Sequence, residues 1–456
     1  MSEISTKIIK EAIYKLCYEA NTCLNDKVYS KVLNAYNQTN GEEKQILKAI
    51  LQNAKIAYEN KMPLCQDTGQ VIVFVEIGQN VKLTGEFIED AINSAVEECY
   101  CNNYFRKSVV KNAVFDRENT KTNTPCIIYT NFVQGDEIKL QVLIKGAGSE
   151  NKSKLEMMLP TSTEEDIVEN VGKIILSAGE NACPPMFVGI GIGATADKAF
   201  VMSKKVLLLN EEDNLGLKIK NYVNSKAPEK YKNTFVLDAK VLTDSTHIAC
   251  MPVAVTINCH SERFSSCTIK NEEIIYEHKT PNFIDIEENS SDKKIINTKD
   301  IEQIRELKQG DEVLLNGEIY VARDMAHKKL FDLMQNNKQL PIDIKDKIIF
   351  YAGPCPKKEG QISNSIGPTT ASRMDKFAPY LYENGLLATI GKGNRSEGVV
   401  VSIKENKAKY FSIQGGVAAF LSEKIEKSEI IAFEELGAEA IYKLEVKNFP
   451  IKVEIA

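Results

Sequence analysis

The sequence predicts a mixed chain, part α/β and part α+β, with a larger N-terminal domain joined to a smaller C-terminal α/β domain. Three observations lead there. A chain of 456 residues exceeds what one hydrophobic core ordinarily organises. Around residues 277–300 the composition turns to HKTPNFIDIEENSSDKKIINTKD, polar and acidic with little to bury, as a linker does. Beyond it, short strand-like and helix-like runs alternate, which suits a compact α/β domain. The expected division is residues 1–276, a linker at 277–300, and residues 301–456.

The elements follow in order. Residues 3–20 and 41–60 carry apolar positions at helical spacing and read as amphipathic helices. KMPLCQDTG then leads into a strand, VIVFVEIG, from Val71, and residues 84–102 return to helical spacing. From Tyr104, YFRKSVVKNAVFDRENTKTNTP is polar, turn-rich and aperiodic, and long loops of this kind are more often functional than accidental. CIIYT and EIKLQVLIKG read as strands, the second running into GAGSENKS, and a helix is expected over 163–178. In NACPPMFVGIGIGATADK a short strand at 186–188 leads into Gly189, Gly191 and Gly193, with a helix opening at Thr195. The continuous apolar run 251–257 reads as a buried strand. In the second domain DEVLLNGEIYVARD reads as a hairpin turning at Asn316-Gly317. A helix from Met325, a strand KIIFYAGP, a helix after SIGPTTASRMDKF and a strand ending in LLATIGKGNRS complete it.

Composition narrows the function. The chain is 43% hydrophobic and 26% charged, ordinary for a globular protein, and its net charge of −6 argues against nucleic-acid binding. No apolar run approaches the roughly 20 residues that cross a bilayer. MSEISTKIIKEAIYKLCYEA reads as neither a signal nor a transit peptide, so a cytoplasmic, reducing environment is expected. The three glycines suggest a phosphate-binding turn, but the third comes one residue early for G-x-G-x-x-G, and Lys198 follows Asp197 rather than a glycine.

Eleven cysteines form no C-x-x-C pair. Cys65, Cys183 and Cys259 stand apart from the rest, at strand ends or in polar loops beside Pro184, Gln66, Asp67 or His260. Scattered single cysteines suit three separate core thiols as well as a metal site. As ligands, three thiolates would hold an iron–sulfur cluster and leave one iron free to act as a Lewis acid.

PLCQDTG, KGAGSENKS, NACPPMFVGIGIGATADKA and STHIACMPVAVTINCH resemble class I, iron–sulfur-dependent fumarate hydratase. GEIYVARDMAHKK, SIGPTTASRMDKF and IGKGNRS resemble the second part of the same family, and the motifs run in matching order from about Lys61 to Ser396. L(+)-tartrate dehydratase is similar in arrangement. In some members the two parts are separate subunits; here they look fused through the acidic linker. The resemblance implies a 4Fe–4S cluster on Cys65, Cys183 and Cys259 in an N-terminal cluster-binding domain. It also implies reversible hydration of fumarate to (S)-malate, a small dicarboxylate substrate, and a homodimer.

Roles follow from the same resemblance. Arg106, Arg323, Arg373 and Lys392 are the expected carboxylate anchors, suited to it because a guanidinium binds a carboxylate bidentately. Anchors on both sides of the linker imply a site between the domains. Thr369 is the expected catalytic base, with Thr370 as a binding neighbour, although a threonine hydroxyl needs help to act as a base. Asp67 and His247 are further catalytic candidates, while Gln66, Gly148 and Ser149 offer amide or hydroxyl contacts. Asp324 and His327 are weaker candidates. The glycines at 189–193 would let the backbone pass close beneath a cluster. Ala147 stands where family members often carry glycine, which is harmless if its φ is negative. The rivals are L(+)-tartrate dehydratase and a non-catalytic iron–sulfur sensor or electron carrier.

Overall fold

The structure, a computed structural model, describes residues 2–115, 117–209, 213–286 and 293–456. The chain divides into two compact units, one ending at Ile284 and one beginning at Asp285.

The first unit is built on two larger sheets, beside a two-stranded parallel pair of Ser2–Ser5 with Val81–Thr84. A five-stranded sheet runs in the order Glu273–Tyr276, Arg263–Lys270, Ile138–Lys145, Gln70–Gly78, Ile127–Val133. In the strand Gln70–Gly78, residues 71–75 are all apolar because both faces are covered. Val71, Val73 and Val75 pack with residues of the helices Thr6–Thr22 and Ile88–Asn102, while Ile72 and Phe74 pack on Leu207 and Leu208. The first of those helices is capped by the Ser5 side chain, which accepts from Lys7 N–H. A helix at Asp26–Gln38, capped by Asn25, was not anticipated: its buried stripe is only Val28, Tyr29 and Val32, too short for periodicity to show.

The four-stranded sheet runs Lys154–Met158, Met251–Asn258, Met186–Ala194, Val236–Thr246. Here the glycines take on a different meaning. Met186–Ala194 is one strand passing straight through Gly189 and Gly191, and the helix Ala196–Lys205 lies directly on their face. A Cβ at Gly189 would stand 2.0 Å from Ser203 O, and one at Gly191 2.1 Å from Ala199 O. The missing side chains therefore admit a helix backbone, and the expectation that they make room for a cluster is corrected. Val188 and Ile190, on the other face, pack with the helices Glu164–Ala178 and Asn214–Ser225. The first of these opens with a reciprocal capping box between Thr163 and Asp166.

The second unit is a seven-stranded sheet in the order Lys294–Asn297, Glu312–Val321, Ile348–Phe350, Ala388–Gly391, Lys409–Ser412, Ile441–Ile455, Ile425–Ala432. The first five are parallel. The long strand Ile441–Ile455 pairs antiparallel with both Lys409–Ser412 and Glu312–Val321, closing the sheet on itself. That partner also explains why the expected hairpin does not form. Glu312–Val321 is one unbroken strand, with a register shift between Leu315 and Gly317. Only Gly317 of the pair takes a positive φ, +111°, whereas a two-residue type I′ turn needs it at both positions. Asn316-Gly317 is a bulge.

The acidic stretch is only partly a linker. Phe283 packs on Tyr29 and Tyr58 of the first unit, and residues Lys294–Asn297 are a strand of the second. Residues 287–292 of it lie outside the described residues. None of the described helices is long and apolar enough to cross a membrane.

Gly191→Ala is expected to lower stability by about 2–3 kcal/mol through overpacking, measured by urea unfolding. Gly398→Ala serves as control, since nothing lies within 4 Å of its added Cβ. A Gly191→Ala protein as stable as wild type would refute the close approach of helix and strand.

Candidate active site

Strand register gathers the first group. Gln70 pairs with Lys145 and Ile144 with Arg263, so the 65–69 segment, the turn after Lys145 and the 259–263 segment meet at one end of the five-stranded sheet. Phe187 pairs with Asn258 in the other sheet, which brings the Cys183 segment to Cys259, and His260 N–H donates to Cys183 O at 3.5 Å. Cys183 itself sits in left-handed backbone, φ 57°, where a short helix ends. That conformation costs a non-glycine residue about 1 kcal/mol or more.

The three thiols feel one another. Burial pushes Cys259 up to about 12, with Cys183 and Cys65 adding to the rise and the Arg263 guanidinium opposing it. Cys65 is likewise raised by burial, again against Arg263. Cys65 and Cys259 therefore hold their protons until metal ligation displaces them. Among the described residues, no three His, Cys, Asp or Glu side chains converge on a single metal position. Cysteine thiols gathered from three separate segments are the donor type that an iron–sulfur cluster takes.

Asp67 is the acidic hub beside them. Burial would raise its carboxyl, but Arg106, then Arg263, and the amides of Ala147 and Gly69 hold it below the usual carboxylate range. Arg106 Nη2 lies 3.2 Å from Oδ1, and Ala147 N–H donates to Oδ2 at 2.9 Å. Ala147 is helical, so the residue that departs from the family's glycine is unstrained and its amide is in use. Arg106 arrives through the base of the long loop. Thr68 Oγ1 donates to Arg106 O at 2.6 Å, and buried Asn123 donates to Gly69 O at 3.1 Å. Gln66 is buried, its Oε1 accepting from Cys65 Sγ at 3.4 Å. Gly148 and Ser149 lie in the short helix Ala147–Glu150, with Ser149 Oγ accepting from Lys145 Nζ at 3.1 Å.

Two residues here were not singled out from sequence. Arg263 donates to Asp67 O at 2.6 Å and influences Cys65, Cys259 and Asp67 together. Lys145, buried, is pushed down to about 8 by burial against the pull of Glu150, 3.5 Å away. The available signal was position: each lies within a few residues of a named motif residue. His247 is not brought to this group. It is exposed in the turn between Val236–Thr246 and Met251–Asn258, at the end of the strand away from Cys259. At about 3.3 Å per strand residue, that is more than 20 Å.

The second group sits at the carboxyl ends of the parallel strands. Arg323 and Asp324 follow Glu312–Val321, and Lys392 follows Ala388–Gly391. Thr369 N–H donates to Tyr351 O at 2.7 Å, just past Ile348–Phe350. Lys392 N–H donates to Thr369 O at 3.2 Å, and its carbonyl accepts from Ala371 N–H, so Thr370 is bridged to Lys392. Arg373 grips Asp324 with Nε at 2.9 Å and Nη2 at 2.6 Å, while its Nη1 donates to Thr369 Oγ1 at 2.9 Å. Arg323 contacts Asp324 at 3.1 Å and Glu439 at 3.2 Å. Asp324 is thus central rather than peripheral. Burial would raise its carboxyl, but Arg373 and Arg323 hold it below its ordinary value. Thr369 gains what a threonine base lacks, a cation beside Oγ1 that stabilises negative charge there.

The chain matches the family model described as fumarate hydratase over residues 10–268 and that of the fumarase C-terminus over residues 270–456. It is 32% identical to fumarate hydratase class I, aerobic, of Escherichia coli strain K12, covering 90% of this chain and 80% of that one. Fumarate hydratase 2 of Leishmania major is 30% identical, over 91% and 78%. A putative L(+)-tartrate dehydratase subunit alpha of Methanocaldococcus jannaschii is 35% identical over 58% of this chain and 98% of its own.

Asp67→Asn is expected to lose about 2 kcal/mol at pH 7. A depressed carboxyl stabilises the fold above its unfolded value, near 3.9, and that contribution disappears as pH falls through the folded value. The deficit of the variant should therefore shrink below about pH 4. A deficit that stays constant from pH 7 to pH 3 would contradict the ion-paired carboxylate.

Proposed function

The chain belongs to the class I fumarate hydratase family, and from that premise we propose that it catalyses the reversible hydration of fumarate to (S)-malate. The 4Fe–4S cluster of this proposal is held by Cys65, Cys183 and Cys259. The observation carrying it is the strand register that gathers the Cys65, Cys183 and Cys259 segments beside Asp67 and Arg263. When bound, such a cluster supplies Lewis acidity toward a substrate hydroxyl and carboxylate.

The chain's own residues supply binding and proton handling. Asp67, kept ionised, holds Arg106 in a fixed orientation, so that its guanidinium receives a carboxylate without first having to be ordered. In the second unit Arg323, Arg373 and Lys392 carry positive charge suited to a carboxylate, with Asp324 ordering the two arginines. In the malate-to-fumarate direction deprotonated Thr369 Oγ1 takes a proton from the methylene carbon, the C–H electron pair forms the double bond, and hydroxide is expelled from the adjacent carbon, to leave as water once protonated. Arg373 Nη1, 2.9 Å from that oxygen, lowers the energy of the deprotonated threonine. In hydration the same proton returns to carbon. Gln66, Gly148, Ser149 and Thr370 contribute neutral hydrogen-bonding groups.

L(+)-tartrate is the second reading, supported by the 35% identity of the first unit to the archaeal tartrate dehydratase subunit. A single added hydroxyl is discriminated by pocket hydrogen bonds, so malate and L(+)-tartrate assayed side by side separate the two.

Anaerobically reconstituted protein is expected to consume fumarate, followed by ultraviolet absorbance. Thr369→Ala should lower kcat by at least about a hundredfold, with its iron and sulfide content unchanged. Cys259→Ser should lose both cluster and turnover. Full turnover in Cys259→Ser and in Arg373→Ala would instead favour a non-catalytic iron–sulfur protein.

A further inference from the structure

Behind the Thr369–Arg373–Asp324 group, three fully buried side chains each keep one polar atom without a protein partner. They are His327 Nε2, Tyr351 Oη and Arg395 Nη2. They are neighbours. The His327 ring stands edge-on to Tyr351, centroids 5.1 Å apart, and the Arg395 guanidinium lies 5.3 Å from the Tyr351 ring centre. Every other polar atom on the Arg395 and His327 side chains is engaged. Arg395 Nε donates to Asp375 at 2.8 Å and Nη1 to Thr389 Oγ1 at 3.3 Å. His327 Nδ1 lies 3.0 Å from Arg323 O. Tyr382, whose hydroxyl bonds Thr389 Oγ1 at 2.6 Å, also approaches the Tyr351 hydroxyl.

Buried polar atoms are seldom left unpaired, and three unpaired atoms on touching side chains call for one shared partner. The donor count identifies it. Arg395 Nη2 can only donate. With Nδ1–H given to Arg323 O, His327 Nε2 can only accept, and Tyr351 Oη does either. A cation is repelled by Arg395, and an anion finds an acceptor rather than a donor at His327. Water accepts from Arg395, donates to His327 and shares its third bond with Tyr351, matching the roughly three bonds that buried waters make.

We infer that one buried water molecule joins Arg395 Nη2, Tyr351 Oη and His327 Nε2 and makes His327 a positioning residue for Arg323 and Asp324. Burial also pushes the imidazole down to about 4, which keeps Nε2 an acceptor at neutral pH. The ring and backbone N–H of His327 both bond Arg323 O, at 3.0 and 2.8 Å, fixing the first turn of the helix Asp324–Gln335. Asp324 opens that helix and receives Arg373, while the Tyr351 carbonyl receives Thr369 N–H. Both branches from the water therefore end at the Thr369–Arg373 pair. The catalytic consequence rests on the proposed hydratase chemistry; the water and its effect on Asp324 do not.

A crystal structure showing ordered solvent should place one water within hydrogen-bond distance of all three atoms. Dry packing, or direct pairing of Nη2 with Tyr351 or His327, overturns the inference. His327→Phe removes both nitrogens, whereas His327→Asn keeps an amide donor for Arg323 O. The Asp324–Arg373 contact, 2.6 Å in the wild type, should lengthen in the Phe variant and survive in the Asn variant. Fumarate turnover should drop at least about tenfold in the first and recover in the second, as a positioning role requires. Identical contact lengths in the two variants exclude the positioning role whether or not fumarate is the substrate. Wild-type protein that binds the water yet turns over no fumarate tells against the hydratase reading alone.

Discussion

Arg263 is buried to 3% exposure, and its guanidinium sits among groups that would otherwise repel or protonate one another. It bonds the Asp67 carbonyl, lowers the Asp67 carboxyl, and opposes the rise that burial imposes on Cys65 and Cys259. A charge buried this deeply is tolerated only when paired, and pairing here requires three separate chain segments at one sheet end. The register of the five-stranded sheet meets that requirement, since Arg263, Ile144, Lys145 and Gln70 are set side by side by backbone hydrogen bonds. Site and scaffold are therefore one constraint in the first unit: a shift of register by one residue would turn Arg263 to the other face and leave its partners uncompensated.

The second unit solves a similar problem with a different device. Its parallel strands deliver Arg323, Thr369 and Lys392 from successive carboxyl ends, and Asp324 keeps the two arginines ordered side by side. Asp324 bridges the two arginines, and Glu439 takes a further contact from Arg323. Gly353 makes room for this arrangement: a Cβ there would come within 3.0 Å of the Arg323 side chain.

Much of the scaffold was legible because burial writes itself into periodicity. The runs at 71–75 and 251–255 are apolar without a break, and both became buried strands. Periodicity failed where its stripe was too short, at Asp26–Gln38. Local turn chemistry failed at Asn316-Gly317, where the distant strand Ile441–Ile455 pairs along both halves and converts a hairpin signal into a bulge. The glycines at 189 and 191 were visible as a demand for close approach, but not what approaches them.

The candidate site divides the same way. Sequence context singled out the three cysteines, and resemblance to the family's motifs named the arginines, Lys392 and Thr369 as expectations. Only the tertiary structure decided which of them share a field. It joined Arg263 and Lys145 to the cysteines, raised Asp324 to a central place, and set His247 at the far end of its strand. The physical reason is range: ion pairing and desolvation act over a few ångströms, and residues 196 positions apart such as Asp67 and Arg263 meet only through sheet register.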